Sequence, residues 1–273
     1  MPRNRRSAQI EEPAESYLGS VSDLMAGLVF IFVITLAAFA LRLAETTTEL
    51  TNSRDRRDEI LTSIRDRLEK RGVTVQVLFD QGILRLTEKG IYFPPGRIDP
   101  RPSDFRHVGE LARVLQEILP CYVSNGFSEP VSTKVTQPDW CPVRPRNPCL
   151  DSKTGARVET LLIEGHTDTQ PIGAAARFRS NLELSSMRAG KILEMMMMCE
   201  PELENLRNTQ NLRVLSVSGY GESRLVRPDD ERSEENRRID LRFLMELPRS
   251  VGEPTPGETE PPPLREVRER YER

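Results

Sequence analysis

Histidine is almost missing from this chain, with two in 273 residues. A zinc site needs three or four closely spaced ligands, and a nucleophilic cysteine needs a histidine at hand. Neither pattern is present, so no catalytic residue and no metal ligand is assigned. His166 is expected to be a hydrogen-bonded structural residue. Aromatic residues are also few, at 5 %, and no glycine-rich phosphate loop occurs. An excess of one charge is lacking too. The 39 basic and 42 acidic residues leave a net charge of −3. They are interleaved as on a solvated surface, which gives no basis for a nucleic-acid partner. With no nucleophile, metal cluster or acid pair, an exported enzyme has no support.

Long apolar runs are equally scarce, and only one exists. Residues 24–41 are uncharged and mostly apolar. Eighteen helical residues rise about 27 Å, close to the bilayer core of about 30 Å. A cleaved signal peptide would have a shorter apolar region, about 7–15 residues, and a small-x-small cleavage site. Here the run ends in Leu41-Arg42-Leu43, without such a site. The reading is an uncleaved single span. Arg3, Arg5 and Arg6 precede it and favour a cytoplasmic N-terminus. Arg42, Arg54, Arg56 and Arg57 follow it, but a long domain is exported largely regardless of charge. All four cysteines, Cys121, Cys141, Cys149 and Cys199, lie beyond the span. An even number in an exported domain points to disulfides.

Asp23 stands just before the run. Counting Tyr17, Leu18, Val21 and Leu43 into the span places this acid inside its cytoplasmic half. A bare charge there is costly and needs a partner, a proton or an aqueous path. Ala26 and Gly27 share its helical face and allow close helix contact. At headgroup level the same acid would cost little, so the residues alone leave both readings open.

The periodicities divide the chain into a tail (1–16), a transmembrane helix (17–43), a linker helix (44–72), a folded domain (73–247) and a Pro-rich charged tail (248–273). The linker carries Leu50, Ile60, Leu61, Ile64 and Leu68 on one narrow stripe. Such a stripe suits pairing with the same helix of a second copy. In the domain, 73–79 and 83–89 alternate around Asp80-Gln81-Gly82 as a hairpin. Residues 103–119 form an amphipathic helix with Ser103 as candidate N-cap. A long loop (120–157) follows, then a strand (158–165), a helix (181–199), and strands at 213–219 and 237–245. The expected fold class is α+β, a mixed βαβαβ sheet with both helices on one face. If the two helices end together, Cys121 pairs with Cys199 and Cys141 with Cys149. Four cysteines allow three pairings.

Asp168 lies just past the 158–165 strand, and Arg188 on the next helix. An anion and a cation so placed could take the amine and carboxylate of a zwitterion. An internal salt bridge or helix cap fits as well. Four motifs in order, GHTD (165–168), SNLELSSMRA (180–189), GYGES (219–223) and ENRRIDLRF (235–243), resemble the OmpA-like peptidoglycan-binding domain. The resemblance covers about 73–247. It implies that Asp168 and Arg188 grip the diaminopimelate of the cell-wall peptide. Thr167, Asn181, Arg237 and Arg238 would line or support the site, and Leu184 and Ala189 would pack beneath it. The longer segment from Asp168 to Asn181, with Pro171, is more similar to MotB-type flagellar stator subunits. SDLMAGLVFIF resembles their ion-carrying aspartate segment. Among stator-type proteins, SVSDLMAGLVFIFVITL is most similar to the stator-like subunit of the Zorya anti-phage system.

The resemblance implies an inner-membrane motor subunit with its C-terminal domain in the periplasm. Asp23 would carry a proton, or less readily sodium, and no cofactor is implied. The partners would be peptidoglycan and a polytopic MotA- or ZorA-like protein, five copies around a homodimer of this chain. A flagellar stator subunit and a passive peptidoglycan-binding tether remain as alternatives.

Overall fold

The computed structural model describes residues 14–124, 137–142, 157–173 and 178–246, with side chains from Val21 onward. Arg3, Arg5, Arg6, Cys149, most of the 120–157 loop and the 248–273 tail lie outside the described residues. The chain divides into two units, Met1–Glu49 and Leu50–Arg273. Helix α1 runs over Ala14–Glu69 and begins in the first unit.

In the first unit the helix exposes every described side chain. Leu24, Phe30 and Leu41 are among them. By length and composition this is a candidate membrane span, with a mean hydropathy of 2.7 over its most apolar window. A helix apolar all round and unburied suits lipid or the helices of partners. The hydroxyl of Thr35 donates to the carbonyl of Ile31 at 2.8 Å, so this polar group is satisfied within the helix.

In the second unit the rest of α1 packs into the domain. Ile60, Leu61, Ile64 and Leu68 are fully buried. They join one core with Leu111, Leu115, Ile118, Val73 and Leu86. Arg67 and Arg71 then pair with the buried carboxylate of Glu117 at 2.9 and 2.8 Å. For these four residues this corrects the expectation of a stripe open to a second copy, whereas Leu50, the remaining residue of the expected stripe, is exposed. The stripe is narrow because the domain's own helix and sheet already cover it.

The sheet holds five strands. β1 (Val75–Leu78) and β2 (Ile83–Leu86) form the hairpin. Gly82, at φ 65, takes the left-handed conformation that the turn demands. β3 (Val158–Gly165), β4 (Leu215–Gly219) and β5 (Ile239–Met245) complete it. The order is β1-β2-β5-β3-β4. Only β3 and β4 run parallel among these neighbours, so the sheet is mixed and the fold class is α+β. Leu84, Leu161, Ile163, Ile239, Leu241 and Phe243 alternate onto one face and share their core with both helices.

Helix α2 (Phe105–Ile118) starts later than expected. Asp104, not Ser103, holds the N-cap position, and makes no cap bond there. Its carboxylate instead accepts from the backbone of Tyr92 at 2.9 Å. Helix α3 (Asn181–Cys199) is capped by Ser180, whose hydroxyl accepts from the Glu183 amide.

The disulfide expectation fails in both pairs. Cys141 is bonded to Cys199, 58 residues apart. Cys121 is also disulfide-bonded, to neither of these. The reason is a stagger between the helices. Cys199 lies against Gly109, near the start of α2, and Pro142 and Trp140 lie over the same spot. The 137–142 segment is pinned there by Gln137 donating to the Cys199 carbonyl and by Arg113 donating to the Pro142 carbonyl. The end of α3 is thus beside Cys141 and not level with Cys121.

Candidate functional site

The topology brings three chain segments to one end of the sheet. β3 and β5 are antiparallel, with Gly165 opposite Ile239. The turn after β3 therefore meets the residues just before β5. The turn carries Thr167 and Asp168, and the approach to β5 carries Arg237 and Arg238. Helix α3 begins beside them: the Asn181 amide donates to the carbonyls of Asp168 and Gln170. Leu184 and Ala189 are buried beneath, as packing positions should be.

Arg237 Nη1 donates to Asp168 Oδ2 at 2.7 Å, and both side chains are nearly buried. Burial alone would disfavour the charge of Arg237, but Asp168 and Tyr92 outweigh it and raise its pKa. Arg188 is fully buried on α3. Its Nε donates to the Arg97 carbonyl at 2.9 Å and its Nη2 to the Pro94 carbonyl at 3.1 Å. The Phe93 ring lies under it, 5.0 Å away. Burial lowers its pKa to about 10, with Arg237 adding to the shift and Asp168 opposing it. The guanidinium stays charged at neutral pH.

Two backbone carbonyls therefore occupy one fork of Arg188. Its Nη1 is buried and has no hydrogen-bond partner among the described residues, and the same holds for Thr167 Oγ1. Buried unsatisfied polar groups cost about 1–3 kcal/mol each. With Nε and Nη2 taken, a ligand carboxylate would meet Arg188 end-on through Nη1.

The site thus unites Asp168, Thr167, Asn181, Arg188 and Arg237. Arg238 turns away. Its Nε donates to Asp240 and its Nη2 to the Arg224 carbonyl. The residues that sequence reasoning missed are Tyr92, Phe93, Pro94 and Arg97. They lie between the 83–89 strand and the 103–119 helix, in a stretch with no period to betray inward-facing side chains.

Behind the site, Glu164, His166 and Asp240 cluster closely enough to hold a metal ion. Their partners argue otherwise. Arg242 forks Glu164, Arg85 forks Asp240, and Arg238 adds a third guanidinium. Both carboxylates are thereby neutralised, and a cation would face three fixed positive charges. His166 is not the hydrogen-bonded residue expected. Among the described residues neither ring nitrogen has a hydrogen-bond partner, Nε2 lies 3.4 Å from Asp240, and the ring stacks on Tyr220 at 5.3 Å. Desolvation, helped by Arg238, lowers its pKa to about 3, so it is neutral.

Asp23 lies in the other unit, exposed on α1. No family model matches the chain, and no curated protein does. Solved structures do resemble it. A putative MotB-like protein from Desulfovibrio vulgaris is 20 % identical with a TM-score of 0.43, covering 74 % of this chain and 99 % of that one. The periplasmic domain of Helicobacter pylori MotB (residues 78–256) is 19 % identical with a TM-score of 0.38, covering 62 % and 79 %. The cell wall anchor of the type VI secretion system (T6SS) from Pseudomonas aeruginosa is 16 % identical with a TM-score of 0.39, covering 68 % and 97 %.

Proposed function

We propose that this chain is the wall-anchored subunit of a proton-driven inner-membrane motor. Its second unit binds peptidoglycan in the periplasm, and Asp23 carries the ion in the span. The kind of motor is that of the Zorya anti-phage system, with this chain in the role of ZorB. Its partner is then a ZorA- or MotA-like polytopic protein, five copies around a homodimer of this chain.

The carrying observation is the pair of unsatisfied buried groups beside Asp168. Arg188 Nη1 and Thr167 Oγ1 both lack partners among the described residues. A donor for an anion and a carboxylate for an amine stand together, and a zwitterionic diamino acid supplies both counterparts. The apolar helix with an acid at its start supports the motor half of the reading.

Two variants test it in the full chain. Asp168→Asn lowers binding to purified peptidoglycan sacculi and leaves membrane insertion intact. Asp23→Asn leaves sacculus binding and assembly intact and abolishes ion flux and phage protection. Undiminished sacculus binding by the first variant ends the wall-binding reading. Full protection by the second makes the chain a passive tether.

A further inference from the structure

We infer that Tyr92 is a positioning residue for the ligand site, and that its phenol aims Asp168 through Arg237. This rests on the zwitterion-binding reading of that site. Tyr92 carries a backbone bond and a side chain that work together. Its N–H donates to the buried carboxylate of Asp104 at 2.9 Å, which ties the 92–97 segment to the start of α2. Its hydroxyl then accepts from Arg237 Nη2 at 3.0 Å and donates to Glu234 Oε1 at 3.1 Å. Its ring faces two guanidiniums, Arg101 at 4.6 Å and Arg237 at 5.3 Å.

Each nitrogen of Arg237 is thereby assigned. Nε goes to the Phe93 carbonyl, Nη1 to Asp168 Oδ2 and Nη2 to the Tyr92 hydroxyl. A planar guanidinium held at three nitrogens has one orientation. That orientation fixes Oδ2 of Asp168. Among the described residues its other oxygen has only a long 3.4 Å contact with the Gln170 amide. Oδ1 is thus the oxygen left to take a ligand amine. Phe93 belongs to both arginines, with its ring under Arg188 and its carbonyl on Arg237. The 92–97 segment therefore sets the spacing between the amine-binding and carboxylate-binding groups. Nη2 also lies 3.2 Å from Glu234 Oε1, the exposed carboxylate to which the Tyr92 hydroxyl donates. Removing the hydroxyl leaves Nη2 with that exposed partner alone and loosens the hold on Arg237, while the ring and its stacking persist.

The test uses the full chain in detergent and a soluble stem peptide containing diaminopimelate, with a second peptide whose side-chain amine is acetylated. Tyr92→Phe is expected to weaken binding of the free-amine peptide about tenfold, which is one bond to a charged group. It is expected to leave the weaker binding of the acetylated peptide unchanged. In an Asp168→Asn background the same substitution is expected to have no further effect. A thermal midpoint matching wild type shows that Tyr92→Phe folds. Equal losses for both peptides, or the same loss in both backgrounds, assign Tyr92 to general packing and overturn the inference. So does unchanged binding in Tyr92→Phe when the wild type binds. A wild type that binds neither peptide overturns the site reading itself.

Discussion

Gly165 of β3 lies in parallel register with Gly219 of β4, and the first turns of α3 rest on both backbones. A Cβ at Gly165 would meet the carbonyl of Ser185, and one at Gly219 would meet Ser186. The contact is fixed by a bond from the Gly221 amide to the Ser185 hydroxyl at 2.9 Å. Gly165→Ala is therefore expected to destabilise the domain by about 1–3 kcal/mol, the cost of overpacking. Gly190→Ala, in α3 with open space around it, is expected to stabilise by about 0.5–1 kcal/mol. Denaturant midpoints of the two variants should move in opposite directions.

Mass mapping of the unreduced protein should recover a peptide pair joining Cys141 to Cys199 and none joining Cys121 to Cys199. The paired substitution Cys141→Ser with Cys199→Ser is expected to cost about 2–4 kcal/mol. The 137–142 segment would then be held by Gln137, by Arg113 and by the edge-to-face contact of Trp140 with Phe105.

The buried stripe of α1 predicts a simple dilution result. Ile64→Ala should cost about 2–5 kcal/mol, as for a fully buried aliphatic side chain. The unfolding midpoint of the soluble second unit should not move with protein concentration because of this stripe. A midpoint that rises with concentration and loses that dependence in Ile64→Ala would place the stripe between copies.

His166 sets an acid limb. Its folded pKa is lowered to about 3, against 6.5 in the open chain. Above 6.5 it is neutral in both states and its contribution is complete. Below 6.5 the unfolded chain takes a proton that the folded one refuses. Stability then falls by up to about 1.4 kcal/mol per pH unit until about pH 3. Asp240 acts in the same direction at the acid end. Burial pushes its carboxyl up, but Arg85 and Arg238 prevail and hold its pKa low. Unfolding free energies between pH 7 and 4 should show the slope, and His166→Gln should flatten it.

Much of the fold is legible in the residues themselves. The strand at 158–165 and the helix at 181–199 stand where the sequence reading places them, because local pattern and tertiary burial agree there. The GHTD and NRR segments meet because β3 and β5 are antiparallel neighbours. Three features are hidden, each by a long-range cause. The apolar stripe of Ile60, Leu61, Ile64 and Leu68 looks the same whether its partner is another copy or the chain's own core. The disulfide depends on the stagger of α2 against α3, which no spacing encodes. Arg237 and Arg238 are adjacent in sequence, yet alternation at the edge of β5 sends one to Asp168 and the other to Asp240.

The bond from Cys141 to Cys199 closes a covalent loop. Asp168 and Arg188 lie inside that loop, and Tyr92 and Arg237 lie outside it. The candidate site is thus assembled across a ring boundary. A single backbone cut between 142 and 198 would leave the site's parts on one covalent molecule until reductant arrives, and only then could the two fragments part.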